Sequence, residues 1–505
     1  MGFPTDILSP HRLVQQPYIA SWFPSQTSLP SDDLNKVVSH DAETQTLRLE
    51  ATILEPTLPP VNRLPDELLS AIFSFEPDVL LSSGDVFQKR SLPRRTLVCG
   101  KKIDPILLGQ VCKQWRNVTL TTPLLWTSFF VLCNLKTQTV ELLKIWLERS
   151  ADLPLNIKFL ESLCDLKIDE DLSNPPKNPV TPQIMELLTT HAHRWKTIDF
   201  EFSLQISPLL LNLPQDSFKI LESVKLRSRR ATNVRFDGLP PLIKAWDLFH
   251  VSPSFHIAEY EMEYVHDRLR DIPWSRLTSV DVTISMDELF QILPECKNLV
   301  ELRYTDPLAR YVIYDLPQKE EPPESLINIV LPSLRHLSMT VSSPPDEALQ
   351  NLTLPMLESV YIRQNNIWIK QPDPQAFTDL LMRSHCTLKQ FSYHALGGPA
   401  AEEVLTELLG SPSMSFVGDL VVDVQVTDKF ADWLMTGLGQ TALPRLETFT
   451  LVRSSMEPGT LSKMITSLKE GHEAFRFFSA QYWNLYEEDK TRFSDLREEG
   501  LVIKD

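Results

Sequence analysis

The residues most able to do chemistry cluster in "LGQVCKQWRNVTLTTPLLW", 108 to 126. Cys112 stands there beside Trp115 and Arg116, and a cationic neighbour lowers a thiol pKa towards the nucleophilic thiolate. Nucleophilic catalysis also needs a base, and no histidine lies between His40 and His191. "HAHRW", 191 to 195, offers two histidines two positions apart, but a helix running through them turns the rings to different sides, which disfavours a zinc pair. The six cysteines, at 99, 112, 133, 164, 296 and 386, contain no CxxC spacing, so they read as reduced and mostly buried thiols. The sequence contains no GxSxG, HExxH or GxxxxGK[ST], which leaves hydrolase, metalloprotease and P-loop chemistry without a motif. No catalytic residue, metal or cofactor is expected.

Bulk composition sets wider limits. The chain has 505 residues, 42% apolar and 23% charged, within the globular range. Its 66 acidic against 49 basic residues give a net charge of −17, and an acidic surface repels the nucleic-acid backbone. The N-terminal "MGFPTDILSPHRLV" lacks a basic stretch before an apolar core, and Asp6 stands where myristoylation requires Ser or Thr. The longest apolar run, around "PLLWTSFFVLCNL", is shorter than the roughly 20 residues that span a bilayer. A cytoplasmic or nuclear protein is expected, without nucleic-acid or membrane partners.

The elements that must carry these residues can be read in turn. Residues 1 to 57 form a flexible tail with a short helix over 41 to 54. In "NRLPDELLSAIFSF", 62 to 75, Pro65 suits a first helical turn, and Asp66 and Glu67 favour the positive end of the dipole. Leu68, Leu69, Ile72 and Phe73 then make one apolar stripe, which so short a helix must cover with another element. Leu108, Val111, Cys112, Trp115 and Val118 or Thr119 supply that cover from one helical face. The polar and basic insert between them, 76 to 105, reads as a surface loop. A helix over 139 to 150 follows, with Val140, Leu143, Ile145 or Trp146, and Leu147 inward, and then a strand over 153 to 159.

An apolar–x–x–apolar–x–apolar pattern recurs through the rest of the chain. Its copies are Trp195/Ile198/Phe200, Leu221/Val224/Leu226, Leu277/Val280/Val282, Leu299/Leu302/Tyr304, Leu334/Leu337/Met339, Leu357/Val360/Ile362, Leu388/Phe391/Tyr393, Val417/Leu420/Val422 and Leu446/Phe449/Leu451. A poorer copy at Ile243/Trp246/Leu248 would fill the widest gap. Helical patterns start near 181, 285, 374 and 401. Ser203, Ser285, Ser342, Asn365 and Ser454 take the small polar place three positions after the last apolar residue. Short strands alternating with helices or loops at this period describe an irregular leucine-rich-repeat solenoid with parallel strands on the concave face and helices and loops outside. Strand residues between the apolar ones then face that surface, which makes Lys225, Arg303, His336, Ser338, Tyr361, Arg363, Ser392, His394 and Thr450 candidate contacts, with Arg303, His336, Tyr361, Arg363 and His394 foremost.

"LPDELLSAIF" and "LGQVCKQWRNVTLTTPLLW" together resemble the two halves of an F-box, particularly the F-box-like domain common in basidiomycete fungi. Leu64, Pro65, Leu68, Ile72 and Phe73 match its first helix. Leu108, Val111, Cys112, Trp115 and Arg116 match its "L..VC..WR" helix, and Leu120, Thr122, Pro123, Leu125 and Trp126 its "L.TP.LW" close. "LLKIWLERSADLPLNIKF" and the terminal "DLREEGLVIKD" are similar to flanking and closing segments of such proteins. The resemblance implies an α/β chain: a small helical F-box at 58 to 130, interrupted by its insert, then the repeat solenoid at 131 to 505. It also implies a non-catalytic substrate-recognition subunit of an SCF-type (cullin-RING) ubiquitin ligase, with a protein substrate, of unknown identity, on the repeats. A Skp-type adaptor, and through it a cullin scaffold, would dock on Leu64, Pro65, Leu68, Ile72, Phe73, Leu108, Val111, Cys112, Trp115, Leu120, Pro123 and Trp126. The alternative is a non-catalytic interaction scaffold whose degenerate F-box recruits no ligase.

Overall fold

The computed structural model describes residues 63–75, 97–99, 104–133, 138–161, 180–213, 216–229, 240–260, 268–310, 328–365, 372–396, 398–436, 442–480 and 486–504. The expected tail, its helix over 41 to 54 and most of the 76 to 105 insert lie outside them. Leu64–Asp505 form one compact unit.

Among the described residues, a single sheet of fifteen strands runs through that unit in chain order. It comprises β1 (Leu97–Cys99), β2 (Ser128–Cys133), β3 (Leu155–Glu161), β4 (Trp195–Ser203), β5 (Ser223–Arg229), β6 (Ile257–Tyr260), β7 (Ser279–Thr283), β8 (Glu301–Thr305), β10 (His336–Val341), β12 (Ser359–Gln364), β13 (Gln390–Ala395), β14 (Asp419–Asp423), β15 (Thr448–Leu451), β16 (Phe477–Ala480) and β17 (Val502–Lys504). The remaining two, β9 (Ile329–Val330) and β11 (Leu352–Thr353), pair separately. Every neighbour from β2 onward is parallel, and β1 alone lies antiparallel, on β2. Parallel neighbours cannot be joined by a tight turn, so every crossover carries a helix or 3-10 turn. The architecture is therefore an α/β repeat.

Period-two alternation turns one set of strand residues toward the helices. Register aligns Phe129, Ile157, Ile198, Val224, Ala258, Val280, Leu302, Leu337, Val360, Phe391, Leu420, Phe449 and Phe478 in one row, none more than 2% exposed. The last two members of each of the nine sequence copies are buried strand residues of this kind. The interpolated copy is misplaced: Ile243, Trp246 and Leu248 belong to the helix Pro240–His250, and the strand there is β6, with Phe255, Ala258 and Tyr260 buried. Trp126/Phe129/Val131 and Phe475/Phe478/Ala480 are two further copies. The small polar places also have work. Ser285 closes a capping box with Glu288, Asn365 Nδ2 donates to the Ala309 carbonyl at 3.0 Å, and the buried Ser342 hydroxyl bonds Asp306.

Local chemistry corrects four sequence expectations. The stripe on the first helix, Asp66–Ser74, splits: Leu69 and Phe73 are buried, whereas Leu68 and Ile72 point outward. Residues 108 to 119 are not one helix but the end of Pro105–Leu108 and most of Lys113–Thr121. Asp104 caps the first by accepting the Ile106 N–H at 2.8 Å, and extended Cys112 caps the second, its Sγ accepting the Trp115 N–H at 3.5 Å. Part of the insert, Leu97–Cys99, is a strand rather than a loop. The helix Val180–Thr190 ends before "HAHRW", so the rings of His191 and His193 come to 6.3 Å instead of opposite sides.

Candidate interaction surfaces

The N-terminal helices are fastened from within. Phe73 meets Trp115 at 4.8 Å between ring centroids, and Trp126 meets Trp146 at 4.9 Å, joining this region to the helix Gln138–Arg149. The Trp126 indole N–H donates to the Thr119 carbonyl at 2.9 Å, and Gln114 Nε2 donates to the Leu64 carbonyl at 3.0 Å. Ser70 and Thr122 share a hydrogen bond at 3.0 Å between the first helix and the "TP" turn.

These contacts sort the expected adaptor residues. Phe73, Leu108 and Trp126 are buried; Leu64, Cys112, Trp115 and Pro123 are half-buried; Pro65, Leu68, Ile72, Val111 and Leu120 are exposed. Leu68, Ile72 and Phe75, at i, i+4 and i+7, form a second apolar line beside the buried pair, 51%, 53% and 90% exposed. Leu107 and Leu124 are exposed as well. Sequence reading missed Phe75, Leu107 and Leu124, although the i+7 spacing from Leu68 was a signal for the first.

Strand register places the expected substrate contacts on the sheet face away from the helices. Lys225, Arg303, Ser338, Tyr361, Ser392 and Thr450 share one row, with Glu259 and Asp281 filling it between Lys225 and Arg303. Arg363, His394 and Asp423 align in the next row, and His336 lies in another with Glu301 and Ser359. Charges on β3 to β6 are locked together: Lys158 pairs with Asp199 at 3.0 Å, Arg227 bonds Asp199 and lies 3.2 Å from Glu259, and Lys225 lies 3.5 Å from Glu259. On the later strands the Tyr361 ring lies 4.6 Å from His394, whose Nδ1 is 3.0 Å from Asp423. Arg453 grips the same carboxylate at 2.5 Å. Burial alone would raise the Asp423 carboxyl, yet the hydrogen bonds from His394 and Arg453 outweigh it and hold the group below the usual carboxylate range. His394 Nε2 is buried without a protein partner among the described residues. Arg303 is tied to Glu301 at 2.8 Å, and Arg363 donates from Nε to Asn365 at 2.9 Å.

Cys112 serves as a helix cap, and burial, reinforced by Glu295, pushes the Cys296 thiol up to about 12. Cys112, Cys296 and Cys386 are free thiols; of these only Cys296 is fully buried, a correction to the burial expected of the set. The side chains of Cys99, Cys133 and Cys164 lie outside what the structure describes. No helix among the described residues is long and apolar enough to cross a membrane.

No protein-family model matches the sequence, and no curated protein matches it. Among solved structures, the yeast Rad7–Elc1 complex is similar at 13% identity and a TM-score of 0.40, over 92% of this chain and 98% of that one. A Bacteroides fragilis protein is similar at 13% identity and a TM-score of 0.29, over 59% of this chain and 70% of that one. Likeness at this level leaves strand order and side-chain geometry to carry the functional reading.

Proposed function

We propose that the chain is a non-catalytic substrate receptor of an SCF-type ubiquitin ligase, its N-terminal F-box-like helices taking a Skp-type adaptor and its open sheet face taking the protein to be modified. The observation that carries the reading is the outward apolar line Leu68, Ile72 and Phe75, with Val111 and Leu120 also exposed, on helices whose other side is sealed into the core. Burying each large aliphatic side chain against a partner gains about 1.5–3 kcal/mol, and apolar surface left exposed in this way marks an interaction site. Buried Phe73, Leu108 and Trp126 would hold the surface in shape rather than touch the adaptor. On the sheet, Arg303, His336, Tyr361, Arg363 and His394 are the foremost contacts, the Tyr361 and His394 rings already in tilted contact and therefore cheap to order further. The proposed location is the cytoplasm or nucleus, where such ligases act.

Co-purification of the full chain with a Skp-type adaptor, using a compact F-box as positive control, tests the reading. Capture of adaptor supports the receptor. Failure under conditions where the control succeeds favours the second reading, a scaffold whose F-box recruits no ligase.

A further inference from the structure

On the helix side of the sheet, the helix Gly398–Leu409 and the next one, Asp428–Met435, pack together beside a cavity of about 840 Å³. That volume suits a small ligand or a large side chain. Two features of its wall are not explained by the fold alone.

Glu402 is explained: its buried carboxylate accepts the N–H groups of Thr427 and Phe430, at 2.8 and 3.2 Å, and so closes the start of the second helix. Glu403 and Glu407 are different. They sit four residues apart on one helix, both exposed, both lining the cavity, and neither has an ion-pair or hydrogen-bond partner among the described residues. Like charges at that spacing repel and destabilise the helix. Lys429 also lines the cavity but pairs with neither, and counting it against them still leaves one negative charge. Trp433, half-buried, also lines the cavity, its ring 6.0 Å from that of Phe430 and 3.9 Å from where a Cβ on Gly410 would stand. Ser411, half-buried in the same lining, has its hydroxyl oxygen out of solvent and without a hydrogen-bond partner among the described residues, which is uncommon for a buried polar atom.

We infer that this cavity binds a guanidinium group, carried by an arginine side chain or by a free guanidino compound, with its face against Trp433 and its N–H groups directed to Glu403, Glu407 and Ser411. A cation is drawn to an indole face. The planar fork of a guanidinium stacks there and donates to two carboxylates at once, which an ammonium, a compact point charge, does less well.

Isothermal titration of the full chain with N-acetyl-arginine amide, its neutral citrulline counterpart and agmatine is the test. The arginine amide or agmatine is expected to bind at least tenfold more tightly than citrulline, and the tighter of the two identifies whether the group arrives on a polypeptide or free. Glu403→Gln with Glu407→Gln removes a repulsion, so the protein should keep its melting temperature while binding falls at least tenfold; Trp433→Leu should weaken binding similarly. Absence of binding by both cations, equal binding of citrulline, or full binding by the double variant would each overturn the assignment.

Discussion

Leu68 and Leu69 are adjacent in sequence and opposite in environment: Leu69 is fully buried against the core, while Leu68 stands 51% exposed on the far side of the same helix. Deleting a buried leucine side chain costs about 2–5 kcal/mol, whereas an exposed position changes stability by roughly 0.5 kcal/mol or less. Leu69→Ala should lower the urea midpoint of unfolding markedly and Leu68→Ala should leave it in place. Equal losses in the two variants would contradict the placement of the helix.

Arg194, from the "HAHRW" segment, anchors the end of the helix Gln138–Arg149. It is buried and donates to the carbonyls of Leu153 at 3.0 Å, Ser150 at 3.2 Å and Leu147 at 3.4 Å, and to the Ser150 hydroxyl at 2.6 Å. Ala151 follows in the left-handed region at φ 47°, where glycine is usual. The arginine therefore supplies donors that the chain end lacks. Arg194→Leu should destabilise by at least about 1–3 kcal/mol, the cost of leaving buried acceptors unsatisfied, as read by chemical denaturation.

Three buried tyrosines should answer differently to loss of the hydroxyl. Tyr260 shares a hydrogen bond with His250 Nε2 at 2.9 Å, while the hydroxyls of Tyr304 and Tyr393 have no protein partner among the described residues and burial raises both their pKa values. Tyr260→Phe should cost about 1 kcal/mol, and Tyr304→Phe and Tyr393→Phe should be neutral or slightly stabilising. Thermal unfolding of the three variants side by side checks the order.

His250 gives stability a pH dependence of known sign. Burial, then the charges of Arg268 and Arg276, push its pKa down to about 4 from 6.5. Between those values the unfolded chain binds a proton that the folded chain refuses, so stability is lost as pH falls through the window. The full loss is at most roughly 3.4 kcal/mol. Urea midpoints at pH 7 and pH 4.5 should differ, and His250→Gln should reduce that difference; an unchanged slope would remove His250 as its source.

Much of the repeat was legible because inward residues on a parallel strand must be large and apolar at fixed spacing, as Leu337 and Met339 are, with a buried Leu334 in the turn ahead of them. The same spacing misled at Ile243, Trp246 and Leu248, where a helix also brings i and i+3 to one face. The strand that was missed has Ala258 at its centre, too small to stand out between Phe255 and Tyr260. Leu97–Cys99 could not be read from the sequence of the insert, since its partner is the distant Phe129–Val131. In the candidate adaptor site, residue types were visible but orientation was not: two leucines one position apart look alike until packing chooses Leu69. One continuous helix would turn Val111 inward; the Cys112 cap breaks that helix, and the side chain is exposed.

The most direct measurement is the affinity of the full chain for a purified Skp-type adaptor by isothermal titration, with Leu68→Asp and Ile72→Asp beside the unaltered protein. The account predicts that the unaltered chain binds, and that each aspartate weakens binding at least tenfold, about 1.4 kcal/mol, without lowering the melting temperature. No binding by the unaltered chain, or undiminished binding by both variants, would contradict it.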